Sequence, residues 1–529
     1  MLRTANAKRL PDFSPLIERA RTLYVRVETV PVQRWQRIGI LALIVLAYFL
    51  VTALQARREL WHDELYTYYI AKAPSLSRLF QEIRLDLNPP LIYLADRVSL
   101  HIVGDNAYAA RLPSILAFLL GSICFYAFAA RQMRPIYGLL AMFVFWSTPF
   151  EYFATEARPY GLIIGFFGLT LLAWQRAIKP NRSKASVWLL ALGVTGMMCS
   201  HFFAVIYIVP FCLAELWRWY RTRKFDLAMW ASLVLPSLLL VIYKPLVMPL
   251  VTRYEKSHFS ASAQASPLKI LGFFYRMLEP ESLFLLIAIC AGLVVVWRFT
   301  WRREDEKIGR LTSLEWILIG GLLLIPALVN LAIMRSHGVA FPRYSGPALF
   351  AVALLFALLL GKATNFSRIA AAASCCVLFA YSMGASTPAA VKHLLARNAA
   401  PKPASLIVNV RPDLPLVANS GLTFIELDKY GDPSTVARLQ YLTDRRYAIQ
   451  YAQSTIFEGM AYLKRFFPIR ATVTPYDQFV SEHPTFLVLG TINYHEDWLL
   501  RRLIDIHATL LYLGDYYGQQ LYQVTMPPA

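Results

Sequence analysis

Residues 38–64 read IGILALIVLAYFLVTALQARRELWHDE, an apolar run followed at once by charged side chains. A transmembrane helix needs roughly 20 predominantly apolar residues, and residues 38–55 come close enough to that length to span. The polar leader before them extends to residue 37, and no convincing small-residue cleavage site follows the apolar run. The stretch therefore predicts an uncleaved first membrane anchor whose exit carries two adjacent acids, Asp63 and Glu64.

The composition indicates that most of the chain belongs to the same environment. Of its 529 residues, 57% are hydrophobic and 16% are charged, whereas soluble domains are about 45–50% apolar and about 25% charged. The net charge of +20 comes from basic residues that collect in short loops between apolar runs, which is the positive-inside pattern rather than a nucleic-acid footprint. The six cysteines all lie in apolar stretches, so neither a disulfide framework nor a cysteine metal site is expected.

Apolar runs of spanning length recur before the polar tail. By the length criterion we count about eleven, near 38–55, 113–130, 137–154, 159–175, 186–200, 202–217, 227–243, 281–298, 313–333, 345–361 and 368–386. The predicted fold class is therefore a membrane all-α bundle of about eleven transmembrane helices with a C-terminal extracytoplasmic α/β domain.

The distribution of Lys and Arg predicts the orientation of this bundle. The leader and alternate short loops are densely basic and are expected in the cytoplasm, whereas the other loops and the tail are longer and mixed in charge. The predicted parts are a cytoplasmic basic leader (1–37), a transmembrane domain (38–387) with a long outer first loop (56–112), and an extracytoplasmic domain (388–529). We expect a multi-pass protein of the inner (plasma) membrane with a cytoplasmic N-terminus.

The tail changes from long apolar runs to short alternating segments. Strands are predicted at Ser405–Val410, Leu414–Asn419, Thr485–Gly490, Thr509–Gly514 and Gln519–Thr525, and helices at Ser434–Thr443, Ser454–Phe467 and Glu496–Ala508. Strands that alternate with helices are typical of an α/β domain. Prolines in residues 387–404 indicate a linker before it.

The acids Asp63 and Glu64 are the first candidates for chemistry. A carboxylate at a membrane exit can act as a general base on an acceptor hydroxyl, or it can hold a divalent cation. Transfer of a group to a hydroxyl needs the first role, because a neutral hydroxyl is a poor nucleophile. The alternative, which periodicity alone favours, is the solvated start of an amphipathic helix.

A second candidate group lies in the very short turn after the third predicted span, which reads Glu156-Ala157-Arg158-Pro159-Tyr160. Ionisable groups held at such depth are costly and usually functional. Glu156 could share a metal ion or a hydrogen-bond network with Asp63. Arg158 could neutralise a phosphate leaving group, because guanidinium matches phosphate in bidentate fashion. The alternative is an ion pair of Arg158 with Glu156 or Glu151 that only satisfies itself.

Three more outward-facing groups complete the candidate set. Arg111 could be an interfacial anchor or a phosphate ligand. His201, in Ser200-His201-Phe202-Phe203, could be structural, or its neutral imidazole could bind a sugar or a metal. Arg343, which Tyr344 follows, is a further candidate for phosphate binding in a basic outer loop. The sequence has no G-x-G-x-x-G or G-x-x-x-x-G-K-[ST] loop and no H-E-x-x-H, which argues against a nucleotide-sugar site or an ATP-driven pump.

Taken together, these segments resemble the dolichyl-phosphate-mannose protein mannosyltransferase-like family, whose members have the GT-C fold and include aminoarabinose transferases. The motifs that carry the resemblance are Asp63-Glu64, Pro89-Pro90-Leu91, Arg111-Leu112-Pro113-Ser114, Glu156-Ala157-Arg158-Pro159-Tyr160, Ser200-His201-Phe202-Phe203 and Arg343-Tyr344. Each motif is short, and their conjunction and order are what is specific. The resemblance is strong in the N-terminal half and weak in the second half.

The resemblance implies an inverting hexosyl- or pentosyltransferase of the cell envelope. Its donor would be a sugar linked to polyprenyl phosphate, and its acceptor a glycan, lipid or protein. Asp63 would be the base or a metal-linked carboxylate, and Glu64 its helper. The family is not uniform in metal dependence, so a divalent cation stays open, with Asp63 and Glu156 as candidate ligands. Tyr160 and Tyr344 join Glu156 and His201 as supporting residues, and membrane lipids but no nucleic acid are expected as partners.

Other functional classes remain open at this point. A transporter or lipid flippase would tend to show paired repeats with broken helices at the midplane, and the sequence shows no internal repeat. A noncatalytic membrane scaffold would make no use of Asp63. A glycan polymerase or ligase of related fold would instead use a lipid-linked oligosaccharide as its donor.

Overall fold

The computed structural model describes most of the chain. The described residues are 28, 31–86, 88–246, 268–278, 286, 289, 309–336, 341–395, 407, 409–492, 494, 497–516 and 518–528. The predicted span 281–298 therefore lies almost entirely outside them, and so does the predicted leader before residue 31, except for residue 28. The predicted linker 387–404 is helical as far as Leu395, and its remainder lies outside the described residues.

Helices dominate the chain before residue 396. Within the described ranges they are α1 (Arg34–Gln55), α2 (His62–Ala71), α3 (Leu76–Glu82), α4 (Leu91–Val103), α5 (Ala107–Ala129), α6 (Pro135–Trp146), α7 (Tyr160–Ala177), α8 (Lys184–Ser200), α9 (Ala204–Tyr207), α10 (Val209–Thr222), α11 (Leu227–Val234), α12 (Leu268–Leu278), α13 (Ser313–Leu323), α14 (Ile325–Ser336), α15 (Ala348–Ala363) and α16 (Arg368–Leu395). Tighter 3₁₀ turns occupy Ile83–Leu85, Pro149–Thr155, Leu235–Ser237 and Pro342–Ser345.

Local sequence explains where several of these helices begin. The side chain of Asn106 accepts a hydrogen bond from the backbone N–H of Ala109 at 2.9 Å and caps α5. Pro135 is the first helical residue of α6, where its missing N–H costs nothing. Thr312 and Glu315 form a reciprocal capping box at the start of α13.

Three of the described helices are long and apolar enough to cross a membrane: Arg34–Gln55, Ala107–Ala129 and Leu227–Leu246. Two bent pairs raise this number to five if each pair is one span: Pro149–Thr155 with α7, bent by 108°, and α13 with the helix after it, bent by 43°. Shorter apolar helices are Pro135–Trp146, Lys184–Ser200, Ala348–Ala363 and Arg368–Gly384. The predicted total of about eleven spans is not confirmed, because many apolar runs are broken or short.

Glycine allows α5 and α7 to pack backbone to backbone. A Cβ atom built on Gly161 would lie 2.6 Å from the carbonyl oxygen of Ser114, and one on Gly165 would lie 2.6 Å from that of Ala117. Small residues permit this close approach between helices in membranes. The contact fixes the start of α7, and with it Arg158, against the motif that contains Arg111 and Ser114.

The tail forms a six-stranded sheet with helices around it. Its strands are β1 (Leu416–Ala418), β2 (Leu439–Thr443), β3 (Thr472–Pro475), β4 (Thr485–Gly490), β5 (Thr509–Tyr516) and β6 (Gln519–Thr525), in the order β3-β2-β1-β4-β6-β5. The strands β1 to β4 pair in parallel, and β6 pairs antiparallel with β4 and β5. The described helices here are α17 (Gly421–Tyr430), α18 (Pro433–Ala437), α19 (Arg445–Tyr447), α20 (Met460–Leu463), α21 (Tyr476–Glu482) and α22 (Leu499–Asp505).

The sheet corrects part of the sequence-based assignment. The predicted strands at Thr485–Gly490 and Gln519–Thr525 are present with those bounds. The predicted helix Ser434–Thr443 is wrong at its end, because Leu439–Thr443 is strand β2, and strand β3 was not predicted at all. A short apolar run reads alike as a buried parallel strand and as a helix segment.

Buried apolar side chains form three clusters. The first lies between the membrane helices. The second joins the helices of the first loop to one face of the sheet and includes Leu65, Tyr69, Phe424 and Phe467. The third covers the other face of the sheet. The first loop and the tail therefore share one hydrophobic core.

Candidate active site

The first loop is anchored by a buried ion pair between Arg111 and Glu64. Neither side chain is exposed to solvent. The Nε atom of Arg111 donates to Glu64 Oε1 at 2.7 Å, and one Nη2 hydrogen bonds Glu64 Oε2. The remaining donors of Arg111 bind the carbonyl oxygens of Ala56, Arg58 and Glu59 at 2.8, 2.5 and 2.9 Å.

This arrangement argues against the phosphate-binding role predicted for Arg111. A guanidinium has five N–H donors, and all five are used within the chain. Arg111 is fully buried and links α5 to the turn that follows α1. A phosphate could reach it only by displacing Glu64 or a backbone carbonyl.

Glu64 is equally committed to the structure. Besides Arg111, its carboxylate accepts hydrogen bonds from the backbone N–H groups of Ala157, at 2.7 Å, and Trp61, at 3.2 Å. The bond to Ala157 ties the first loop to the turn that carries Glu156 and Arg158. Glu64, the predicted helper of Asp63, thus fixes the position of the turn that carries the neighbouring candidate residues.

Asp63, next to the buried pair of Glu64 and Arg111, has a different environment. Its side chain is 29% exposed, and its Oδ2 atom lies 3.7 Å from Nη2 of Arg158. Arg158 also donates through Nη1 to the backbone carbonyl of Asp63 at 3.2 Å and to the carboxylate of Asp86 at 3.1 Å. The hydroxyl of Ser114 in turn donates to the carbonyl of Arg158 at 3.0 Å.

Asp86 is a member of this site that sequence reasoning missed. Its Oδ2 atom accepts hydrogen bonds from Arg158, from Tyr93 at 2.9 Å and from Asn88 at 3.2 Å. The only available signal was its place two residues before the Asn88-Pro89-Pro90 turn. Asp86 holds Arg158 in the orientation in which it faces Asp63.

The charges around Asp63 keep it ionised. Burial by itself raises the pKa of Asp63, but the charges of Arg158, His62 and Arg343 outweigh burial and hold the pKa below its ordinary value of 3.8. Opposite charges within a few ångströms favour the charged form of a carboxyl group. At neutral pH this side chain is therefore a carboxylate that is partly open to solvent.

Glu156 lies in the turn between the bent segments, and it is buried without a partner. Only 1% of it is exposed, and neither carboxyl oxygen has a hydrogen-bond partner among the described residues. Burial, together with the negative charge of Glu64, raises the pKa of Glu156 to about 8. A buried polar group without a partner is rare in folded proteins and calls for an explanation.

The remaining candidates form an aromatic wall around Arg343. Its guanidinium carbon lies 5.5 Å from the ring centre of Tyr160 and 4.3 Å from that of Phe341, and its Nε atom has no hydrogen-bond partner in the described part of the chain. The ring of Tyr344 is 5.3 Å from that of His201. Burial and the charges of Arg158 and Arg343 lower the pKa of His201 to about 3, so its imidazole is neutral.

An apolar cavity of about 210 Å³ lies beside this wall. Its lining comes from α12, α14 and the segment that holds Arg343, and consists of Gly272, Phe273, Arg276, Pro326, Val329, Asn330, Ile333, Phe341, Pro342 and Ser345. A mostly apolar cavity with a few polar groups at its edge is the usual form of a ligand site.

The described residues include no cluster of metal ligands. No three His, Cys, Asp or Glu side chains among the described residues lie together in a way that could hold a metal ion. The predicted pair of ligands, Asp63 and Glu156, therefore has no third protein partner in this part of the chain. A divalent cation stays a prediction.

Comparison with known proteins agrees with the resemblance seen in the motifs. The family model for dolichyl-phosphate-mannose-protein mannosyltransferase matches residues 87–243, and no curated protein matches the chain in sequence. The crystal structures of ArnT from Cupriavidus metallidurans, bound to undecaprenyl phosphate and in the apo state, each match with a TM-score of 0.51 and 13% identity. Each match covers 92% of this chain and 98% of ArnT.

At 13% identity these matches show the fold rather than the reaction. They extend over the membrane helices and the tail alike, whereas the family model covers only the segment from the first loop to α11. The chain therefore has an ArnT-like GT-C fold, and its residues 87–243 match the mannosyltransferase family that its motifs resemble.

Proposed function

We propose that this protein is a membrane glycosyltransferase that moves a sugar from a polyprenyl-phosphate donor to a hydroxyl acceptor on the extracytoplasmic face of the inner membrane. The observation that carries the proposal is Asp63, a carboxylate kept ionised and partly open beside Arg158 and within the field of Arg343. In a GT-C fold, this pairing of an available base with two cations suits transfer from a phosphate-linked donor. The acceptor is a glycan, a lipid or a protein.

Asp63 acts as the general base. The acceptor oxygen attacks the anomeric carbon as the bond from that carbon to the phosphate oxygen breaks, and the electron pair of that bond leaves with the polyprenyl phosphate. The hydroxyl proton passes to the carboxylate of Asp63. A single displacement of this kind inverts the anomeric carbon, and a positioned general base contributes about 10²–10⁴-fold to its rate.

Arg343 and Arg158 stabilise the departing phosphate. Each has an Nε–H group without a protein partner among the described residues, and charge-assisted bonds from guanidinium to phosphate are strong and directional. Arg158 is partly neutralised by Asp86, so Arg343 is the more available of the two cations. Fixed positive charge that faces the leaving group lowers the barrier without reorganisation.

The apolar cavity beside Arg343 fits the start of the carrier chain. Phe341, Pro342 and Ser345 contribute to its wall and flank Arg343 in sequence. An isoprenoid chain in this cavity would have its phosphate end near the guanidinium. The crystal structure of ArnT with undecaprenyl phosphate supports a polyprenyl phosphate as the class of carrier.

Glu156, Tyr160, His201 and Tyr344 support the sugar. A protonated Glu156 can donate one hydrogen bond and accept others, and neutral His201 can do the same. Asp63 and Glu156 could also supply oxygen ligands to a divalent cation, which would help to neutralise the phosphate when bound. No step of the mechanism described here depends on that ion.

The competing functions differ in measurable ways. A flippase or transporter would move an intact lipid-linked precursor without breaking its glycosidic bond. A glycan ligase or polymerase would use the same base, but its donor would be a lipid-linked oligosaccharide. Donor size and bond cleavage therefore separate these functions from the proposed one.

The test is an in vitro transfer assay with radiolabelled polyprenyl-phosphate sugars and lipid-linked oligosaccharides, comparing the wild type with Asp63→Asn. We expect transfer from a polyprenyl-phosphate sugar by the wild type and a loss of about 10²–10⁴-fold in the variant. The matched control is Asp413→Asn, which alters an exposed pair with Arg411 in the tail.

Near-normal transfer by Asp63→Asn would remove Asp63 from the mechanism. Transfer only from the oligosaccharide donor would favour the ligase, and translocation of intact donor without transfer would favour the flippase. Thermal unfolding of both variants, measured in detergent, separates a catalytic loss from a folding defect.

A further inference from the structure

One face of helix α17 in the tail lies against the first loop. Glu426, Lys429 and Tyr430 are spaced three and four residues apart and so share a side of the helix. The hydroxyl of Tyr430 accepts a hydrogen bond from the backbone N–H of Leu60 at 2.7 Å, and Lys429 donates to the hydroxyl of Tyr68 at 3.3 Å. The third member of this face, Glu426, binds His62.

Apolar packing around these polar contacts holds the tail in place. The ring centre of Phe467 lies 5.3 Å from that of Tyr66 and 5.1 Å from that of Tyr69. These residues belong to the hydrophobic cluster that the first loop shares with the sheet. The position of α17 relative to α2 is therefore set by a packed core as well as by surface contacts.

Glu426 binds His62 at two points. Its Oε1 atom accepts a hydrogen bond from the backbone N–H of His62 at 3.0 Å and lies 3.3 Å from the ring Nδ1 atom. His62 is the first residue of α2, where the helix has no partner of its own for that N–H. A negative charge at this end of a helix is also favourable.

The other ring nitrogen of His62 faces Asp63. Its Nε2 atom lies 3.6 Å from Asp63 Oδ1, so the imidazole lies between the carboxylates of Glu426 and Asp63. The ring of Trp61 meets that of His62 edge to face, at 4.5 Å between centres. His62 is thus restrained at its backbone, at Nδ1 and at its ring face.

We propose that Glu426 is a positioning residue for the active site: it fixes His62, and His62 in turn holds the carboxylate of Asp63 in the orientation for proton abstraction. The inference rests on the proposed function, because it assigns the tail a part in the same reaction. Glu426 itself touches neither substrate nor the reacting atoms. Through this contact the C-terminal domain supports the first loop, which carries Asp63.

The test compares full-length Glu426→Ala, Glu426→Gln and His62→Gln with the wild type. Misplacement of a catalytic group by about 1 Å can reduce a rate about 10²-fold, so we expect kcat to fall by about 10- to 100-fold in Glu426→Ala. The donor KM should stay within about twofold, because the phosphate ligands do not move. Glu426→Gln keeps an acceptor oxygen for the His62 N–H and should recover most of the rate.

Two controls separate positioning from stability. Glu482→Ala removes a carboxylate from another helix of the tail, where Glu482 accepts an exposed hydrogen bond from Gln478, and should behave like the wild type. His62→Gln removes the imidazole between the two carboxylates without altering α17 and should reproduce the loss of kcat. Hydrogen exchange of residues 60–66 gives a readout independent of activity, and it should be faster in Glu426→Ala.

The outcomes for the two proposals are distinct. An active wild type with an equally active Glu426→Ala, or a loss that appears in donor KM rather than in kcat, would overturn the positioning role. A wild type that transfers no sugar counts against the proposed function, while unchanged hydrogen exchange in Glu426→Ala would by itself overturn the contact on which the inference depends.

Discussion

Two buried glutamates in this protein lie near one another and have opposite surroundings. Glu64 is 0% exposed and Glu156 is 1% exposed. The carboxylate of Glu64 binds Arg111 and two backbone N–H groups, whereas neither carboxyl oxygen of Glu156 has a partner among the described residues. Equal burial therefore does not mean equal bonding: the carboxylate of Glu64 completes the fold, whereas that of Glu156 has no partner in the described part of the chain and, under the proposed function, contacts the sugar.

Arg111 and Arg343 differ in the same way as the two glutamates: within the part of the chain that the structure describes, the first is fully bonded and the second is not. All five donors of Arg111 bind groups of the protein, while Arg343 is held mainly by the faces of aromatic rings, and its Nε–H has no partner among the residues that the structure describes. Polar groups that satisfy one another hold a loop in place. Polar groups without partners, in a cluster that is otherwise well packed, are candidates for a functional site.

The largest expected effect comes from breaking the buried ion pair between Glu64 and Arg111. Glu64→Gln should lower the free energy of unfolding by about 3–5 kcal/mol, because it leaves the charge of Arg111 buried and uncompensated. The measurement is denaturant or thermal unfolding of the protein in detergent. Glu482→Gln, on the surface of the tail, is the control, and a stability equal to that of the control would refute the structural role of Glu64.

A smaller effect, on binding of the donor rather than on stability, is expected at Arg343. Arg343→Gln removes a charged hydrogen-bond donor worth about 1.5–3 kcal/mol, so the donor KM should rise by about 10- to 150-fold. Stability should be nearly unchanged. Arg335→Gln removes an exposed charge from the end of α14 and serves as the control; equal rises in KM for both variants would indicate a diffuse effect of charge.

The smallest effect on stability is expected at Glu156. Because its pKa is about 8, the carboxyl group is mainly neutral at pH 7, and Glu156→Gln loses neither a charge nor a hydrogen bond to any described residue. The free energy of unfolding should change by about 1 kcal/mol or less, while sugar transfer falls. Measured beside Glu64→Gln, an equal loss of stability in both variants would mean that the two glutamates do not differ as described.

Local sequence could predict which residues cluster but not what each one binds. Asp63, Arg158 and Glu156 were recognisable because they follow spans directly, where a short turn holds a charge at the membrane surface. For Arg111 the sequence left an interfacial anchor and a phosphate ligand open, because no local pattern shows that Glu64 and three carbonyl groups use all of its donors. Asp86 was missed because the prolines after it read only as a turn.

Long-range and geometric features limited the prediction of the fold. Glu426 meets His62 across 364 residues, and no spacing in the sequence records that contact. The count of spans is not confirmed by the described helices, because apolar content does not reveal bends, such as the 108° break before α7. Strand β2 looked like the end of a helix because a buried parallel strand has no alternating pattern.

The core shared by the first loop and the sheet has a consequence for how the protein is made. His62 leaves the ribosome 364 residues before Glu426, and at about 5–20 residues per second this interval is roughly 20 to 70 s. During that time Tyr66 and Tyr69 lack the ring of Phe467 that later covers them. A nascent chain therefore carries an uncovered apolar patch on its first loop until synthesis is almost finished.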